Sequence, residues 1–210
     1  MKKSTLCSSV ALACAIALSG CGGNDDGQLQ IPVSLSGVTK TGLTISNKGG
    51  SPIAVEPGTV FVFPDLVPVD SDYDIAIVTK PANTDSCVVT NGKGNTGAYS
   101  PQNIIIACVV KTYPLSGTVV GLTGGDLEVN NGSQSVKIPN GATTFSMTTP
   151  TTASPKLGEV PEGIPYGLTV LKQPASGTCT IARPNVTPDS KPNGIMPAGP
   201  VNDFVITCTA

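Results

Sequence analysis

The chain is 210 residues long, carries 12 Lys and Arg against 14 Asp and Glu for a net charge of −2, and contains neither histidine nor tryptophan. That balance supplies no basic patch for nucleic acid, and the missing histidine excludes Ser-His-Asp and Cys-His nucleophile pairs, His-ligated metals and the usual general base near neutral pH. Glycine (24) and proline (19) together make up about a fifth of the residues, which dictates many turns and leaves little room for long helices.

In chain order, Lys2 and Lys3 precede an apolar stretch from Val10 to Leu18, and small residues lead from there into Cys21. This is the pattern of a secretory signal, and the apolar run is shorter than the roughly 20 residues a membrane span needs. Residues 1–20 are therefore expected to be removed as a signal peptide. Leu18-Ser19-Gly20-Cys21 closely resembles the lipobox of bacterial lipoproteins. The resemblance implies that Cys21 is lipidated through its sulfur, becomes the new N-terminus and is then N-acylated by a chain such as palmitate. Several acyl chains, at about 0.8 kcal/mol per buried methylene, hold a protein on a membrane. Gly22 stands where an Asp is the usual inner-membrane retention signal of Gram-negative lipoproteins, so the same resemblance implies an outer-membrane location, facing either the periplasm or the exterior. Residues 21–30, with the polar run Gly22-Gly23-Asn24-Asp25-Asp26-Gly27, are expected to form a flexible linker behind the lipid.

Beyond the linker the pattern is that of strands. Thr59–Phe63, Tyr73–Val78 and Leu168–Leu171 are short, rich in β-branched and aromatic residues, and bounded by Gly, Pro, Asn or Asp. Asn-Gly pairs at 91–92, 131–132, 140–141 and 193–194 supply turn chemistry, because both residues tolerate positive φ.

The mature chain also repeats itself. Val33–Val38 is echoed by Tyr113–Thr118 through a shared Leu-Ser-Gly, and Leu43–Gly49 by Leu127–Gly132. Tyr73–Pro81 is echoed by Tyr166–Pro174, and Asn103–Cys108 by Asp203–Cys208. Two modules are expected, residues 31–110 and 111–210. With Cys7 and Cys14 leaving in the signal and Cys21 carrying lipid, Cys87, Cys108, Cys179 and Cys208 remain for an oxidising compartment. Four cysteines allow three pairings, and the duplication makes Cys87–Cys108 and Cys179–Cys208 the simplest. Thiolate metal binding is the rival, and it lacks any C-x-x-C spacing. The predicted fold class is all-β: two tandem antiparallel β-sandwich modules of immunoglobulin-like type, about seven strands each, closed by one disulfide per module. The absent tryptophan departs from a true immunoglobulin core.

The succession of Leu-Ser-Gly-Thr, Gly-Leu, Asn-Asn-Gly, Gln-Pro, Thr-Cys and a terminal Val-Ile-Thr-Cys is similar to modules found in tandem in bacterial surface and lipoprotein chains. The second copy carries the likeness well. The first departs from it, with Lys48 near the place of Asn131 and Gly132 and Lys80 in place of Gln173. The resemblance implies a stalk or spacer fold and a location, without an activity.

The remaining motifs favour plain readings. Gly92-Lys93-Gly94-Asn95-Thr96-Gly97 matches G-x-G-x-x-G, yet no strand-to-helix context surrounds it, so a flexible hairpin loop is expected, matched in the second copy by the proline-rich stretch from Pro184 to Pro200. Asp70, Asp72 and Asp74 have the spacing that opens a calcium loop but lack its glycine and its closing glutamate; they are minor calcium candidates beside Asp65. Two carboxylates could in principle hydrolyse a glycoside, but 8 aromatic residues in the whole chain leave little for a sugar platform. No lysine follows a serine by three positions and no G-x-S-x-G occurs. Ser36-Gly37 and Ser116-Gly117 are expected at a turn or bulge, and the Thr/Ser/Pro-rich stretch from Thr143 to Glu159 is expected to be a loop. The sequence thus points to a non-enzymatic structural, adhesive or spacer lipoprotein with no cofactor. Its expected partners are the membrane through the lipid and a protein or glycan through strand edges and long loops, without nucleic acid.

Overall fold

The computed structural model describes residues 27–148, 157–184 and 191–209. Among the described residues twenty strands fall into two groups of ten. The first comprises β1 (Gln28–Leu29), β2 (Pro32–Ser36), β3 (Leu43–Asn47), β4 (Ile53–Val55), β5 (Val60–Val62), β6 (Val67–Pro68), β7 (Asp72–Thr79), β8 (Thr84–Thr90), β9 (Lys93–Asn95) and β10 (Ile105–Val110). The second comprises β11 (Thr112–Tyr113), β12 (Leu115–Val120), β13 (Leu127–Asn131), β14 (Gln134–Ile138), β15 (Thr144–Ser146), β16 (Val160–Pro161), β17 (Pro165–Lys172), β18 (Thr178–Ala182), β19 (Asn193–Ile195) and β20 (Val201–Thr209).

The two groups share one pairing scheme. In the first module one sheet runs β5-β2-β10-β8 and the other β4-β3-β7-β9, with β1 paired to β6. The second repeats it as β15-β12-β20-β18, β14-β13-β17-β19 and β11 with β16. Each module is thus a sandwich of two four-stranded sheets, the immunoglobulin-like all-β architecture expected, with more and shorter strands than the pattern of apolar runs suggested. Pairing is antiparallel throughout except for one parallel pair per module, β2 with β10 and β12 with β20. A parallel neighbour needs a long crossover, and here the rest of the module supplies it.

Alternation sets the faces. In β10, Ile106 and Cys108 point inward while Ile105, Ala107 and Val109 point out, as a period of two requires. The first core gathers Ile31, Val33, Leu35, Leu43, Ile45, Ile104 and Ile106, and the second Leu115, Leu127, Val129, Leu168, Phe204 and Ile206. Each such side chain contributes roughly 1.5–3 kcal/mol on burial.

The sheet register corrects the repeat in its first strand. Leu35 pairs with Ile106 and Val119 with Ile206, so Gly37 corresponds to Gly121, not to Gly117, and the shared Leu-Ser-Gly is shifted by four residues between the copies. Gly37 ends β2 at φ +72°, against the Cys108 carbonyl. Gly117 lies inside β12, where the pairing with β20 is irregular, and a Cβ there would come within 2.1 Å of the Phe204 carbonyl and 2.8 Å of its Cβ. Val33 and Ile104 fill the same two places in the first module. The pair of sizes has been exchanged, medium with medium in one copy and absent with large in the other, which conserves core volume.

Four further expectations change. The linker ends early, because Gln28 and Leu29 form β1 and Leu29 is buried. Lys93–Asn95 is not loop but edge strand β9 on β7, followed by buried Thr96 bonded to Ser71 and Pro68. Asn193-Gly194 likewise lies in strand β19 and not in a turn. Gly94 and Gly194 are small for a steric reason, since a Cβ at either would meet the hydroxyl of Tyr73 or Tyr166 at 2.8 or 2.7 Å. Lastly, the stretch from Thr143 begins as β15, with Phe145 and Met147 in the core; an aromatic and a methionine two residues apart satisfy the inward positions of a strand, a signal that the Thr/Ser composition hides.

Candidate functional site

Both disulfides join residues directly opposite on neighbouring strands. Cys87 of β8 faces Cys108 of β10, and Cys179 of β18 faces Cys208 of β20, with Cα atoms 4.0 Å apart in each. Each bond fastens an edge strand to the central strand that also carries the parallel pair. Cys21 lies outside the described residues.

The acidic candidates do not converge. Asp70 occupies the turn between β6 and β7 at φ +53°, and its backbone carbonyl accepts from the Asn95 amide. One Asp72 carboxylate oxygen accepts from the same amide at 2.9 Å. Asp74 is 2.8 Å from Lys93 Nζ, and that hydrogen bond, then the charge of Asp74, raises the lysine pKa. Asp65 lies in a separate depression with Asn47, Ser51 and Phe63. Among the described residues no group of three or more Cys, Asp or Glu side chains is placed to hold a metal ion.

The other polar clusters are also ion pairs. On the second module, Asp126 meets Lys137 at 2.7 Å in a shallow groove with Glu128 and Lys172. The lysine hydrogen bond, followed by the Asn140 backbone N–H, lowers the Asp126 pKa. The most enclosed pair was not anticipated from the sequence. Arg183 donates from Nε to Asp203 Oδ1 at 2.7 Å and from Nη2 to Oδ2 at 2.9 Å, a two-pronged contact, and a third nitrogen bonds the Tyr166 hydroxyl. The guanidinium stands 5.3 Å from the Phe204 ring centroid. Hydrogen bonding to Asp203 raises the arginine pKa, and burial raises that of Tyr166. Asn91 and Asn103 take these two positions in the first module, where Asn91 donates to the Asn103 carbonyl.

The duplicated sheets differ most on their outer faces. On β5-β2-β10-β8, register places Val60, Ser34, Ile105 and Thr90 in one row and Ser36, Ala107 and Val88 in the next, with Val62 and Val109 at the margins. Val60, Val62, Val88, Ile105 and Val109 are all exposed, and the charges Lys80 and Asp85 meet at the irregular end of β8, where Lys80 donates to the Thr84 and Asp85 carbonyls. The equivalent rows of the second module read Thr144, Thr118, Val205 and Ala182, then Val120, Thr207 and Thr180, then Thr209 and Thr178. Identical backbone therefore presents an aliphatic face in one copy and a hydroxyl-rich face in the other. The alternating valines of Val-Phe-Val and Ile-Ile-Ala-Cys-Val-Val carried this signal, but without the register neither face could be assigned. All eight aromatic residues are described, and Tyr99 alone is exposed by more than a third, so no pair of rings forms a sugar platform.

No protein-family model matches the chain, and no curated protein is similar to it in sequence. Solved structures similar to it include the major pilin protein (T3.2) from Streptococcus pyogenes serotype GAS13637, at 10% identity over 87% of this chain and 97% of that one, with a TM-score of 0.27. A second is the major pilin protein (T-13) from Streptococcus pyogenes serotype GAS131465, at 11% identity over 87% and 98%, with a TM-score of 0.26.

Proposed function

We propose that this is a non-enzymatic lipoprotein of the bacterial outer membrane that acts as a structural, adhesive or spacer module. The observation that carries the reading is the repetition of one ten-strand pairing scheme, each copy stitched by its own disulfide and joined to the next through a single residue, Lys111. Such an array sets distance from its anchor and survives an oxidising compartment, and the carboxylates at 74, 126, 162 and 203 are engaged by lysine or arginine. The lipobox at Leu18–Cys21 supplies the anchor. Fractionation and peptide mass analysis test it. The expected result is an acylated Cys21 peptide from the outer-membrane fraction, with Cys21→Ala lost from that fraction. An unmodified Cys21 or an unchanged distribution of the variant refutes the tether.

A second reading, capture of a protein partner, is favoured by the aliphatic outer face of the first module, because contiguous exposed apolar surface marks interaction sites. Photo-crosslinking from position 88, with the equivalent position 180 as internal control, distinguishes the two. Adducts from 88 alone support partner binding, and none from either supports the spacer.

A further inference from the structure

The connection between the modules carries more contacts than a spacer linker needs. β10 ends at Val110 and β11 begins at Thr112, leaving Lys111 as the whole connection. Its backbone N–H and its side chain are both held by the first module. Its backbone N–H donates to the Asn83 carbonyl at 2.9 Å and its Nζ to the Ala82 carbonyl at 2.8 Å. Its own carbonyl accepts from Glu162 N–H at 2.9 Å, tying in the β16–β17 turn of the second module. The Glu162 side chain then reaches back across the boundary to Lys40 Nζ at 2.5 Å. Asn83, itself 2% exposed, donates to Thr39 Oγ1 at 2.9 Å and fixes the loop that carries Lys40.

The duplication provides the control. Val69 takes in the first module the place that Glu162 takes in the second, and its N–H makes the same bond, to the Gly27 carbonyl. Val69 is 40% exposed and Glu162 only 5%. The fold by itself leaves this position open, so the burial of Glu162 comes from the neighbouring module. A carboxylate in that setting needs its cation, because removing one partner strands the other.

We infer that Lys111, Glu162 and Lys40 lock the two modules into one rigid body with a fixed angle between them, against the usual expectation that small inter-domain contacts permit relative motion. The inference does not depend on the lipid tether or on any partner.

Residual dipolar couplings test it on the mature chain carrying Cys21→Ser, which keeps both modules whole in free solution. Amide couplings fitted separately for the two modules are expected to give one common alignment tensor. In Lys40→Ala and in Glu162→Ala the tensors are expected to separate, with a smaller magnitude for one module. Lys40 is a half-exposed loop residue, so its variant is expected to keep both module spectra, and those spectra verify the fold of each variant directly. Two different tensors in the unaltered chain, or one common tensor retained in both folded variants, would overturn the lock.

Discussion

Replacing Arg183 with alanine isolates the contribution of the Arg183–Asp203 ion pair. The arginine side chain is 15% exposed and that of Asp203 27%, so water reaches the carboxylate only in part once its partner is gone. Truncation removes three hydrogen bonds and the contact with the Phe204 ring, and it leaves the Tyr166 hydroxyl, in a residue 5% exposed, without its arginine partner. Breaking a fully buried pair costs about 3–5 kcal/mol, and a cation over a ring adds about 0.5–1. Partial access of water to Asp203 reduces the first figure, for a net loss of about 2–4 kcal/mol, roughly a 30- to 700-fold change in an opening equilibrium. Hydrogen–deuterium exchange resolved by peptide reads this within each module. Protection of β17, β18 and β20 is expected to fall by that factor, while β8 and β10, flanked by Asn91 and Asn103 in the corresponding places, keep theirs. Arg183→Lys is expected to lie between, since an ammonium cannot span both carboxylate oxygens and the phenol. Unchanged protection of β18 and β20 in Arg183→Ala would refute the reasoning.

Gly37→Ala combines positive φ with a Cβ placed 1.9 Å from the Cys108 carbonyl, whereas Gly49→Ala meets positive φ alone, with nothing within 4 Å; urea unfolding is expected to show about 1 kcal/mol or less lost at 49 and about 2 or more at 37, and equal losses would contradict the close approach. Opening the disulfides by Cys87→Ala with Cys108→Ala, or by Cys179→Ala with Cys208→Ala, releases loops of 21 and 29 residues and is expected to cost about 3–4 kcal/mol each in the chain-entropy account; calorimetric melts that do not move would argue against it. The Asp126 carboxyl is held below its ordinary value by Lys137 and the Asn140 N–H. A lowered folded value means that its stabilisation is present above about pH 4 and is lost as pH falls through the folded pKa. Carbon-detected NMR titration should show that depression and its loss in Lys137→Met, and an ordinary midpoint in the unaltered chain would rule it out.

Much of the architecture was readable because it occurs twice. A cysteine shortly after each Tyr-to-Pro stretch and another at each module's end were enough to pair Cys87 with Cys108 and Cys179 with Cys208. Residues whose meaning depends on a neighbour were not readable. Gly117 looks like Gly37 in sequence, and only the parallel register reveals that one accommodates Phe204 and the other ends a strand. Asn193-Gly194 is a sound turn dipeptide whose glycine is instead dictated by the Tyr166 hydroxyl beneath it. Lys93 looked like part of a loop because its strand is only three residues long and gains order from β7. The same limit hid Arg183 and Glu162. Each is a lone charge in sequence, and its partner, Asp203 or Lys40, is brought to it by the tertiary fold.

The parallel pair β2/β10, repeated as β12/β20, fixes the direction in which each module is threaded. Because the second and last strands of each group run the same way side by side, the chain passes through that sheet in one direction on entry and on exit. Tension applied along the chain therefore tries to slide these strands past one another, and the hydrogen bonds between them must yield together, not one after another as in a zipper pulled from its open end. The disulfide from β10 to β8, or from β20 to β18, spreads that shear into the third strand of the sheet. A tether built of such units extends little before it fails.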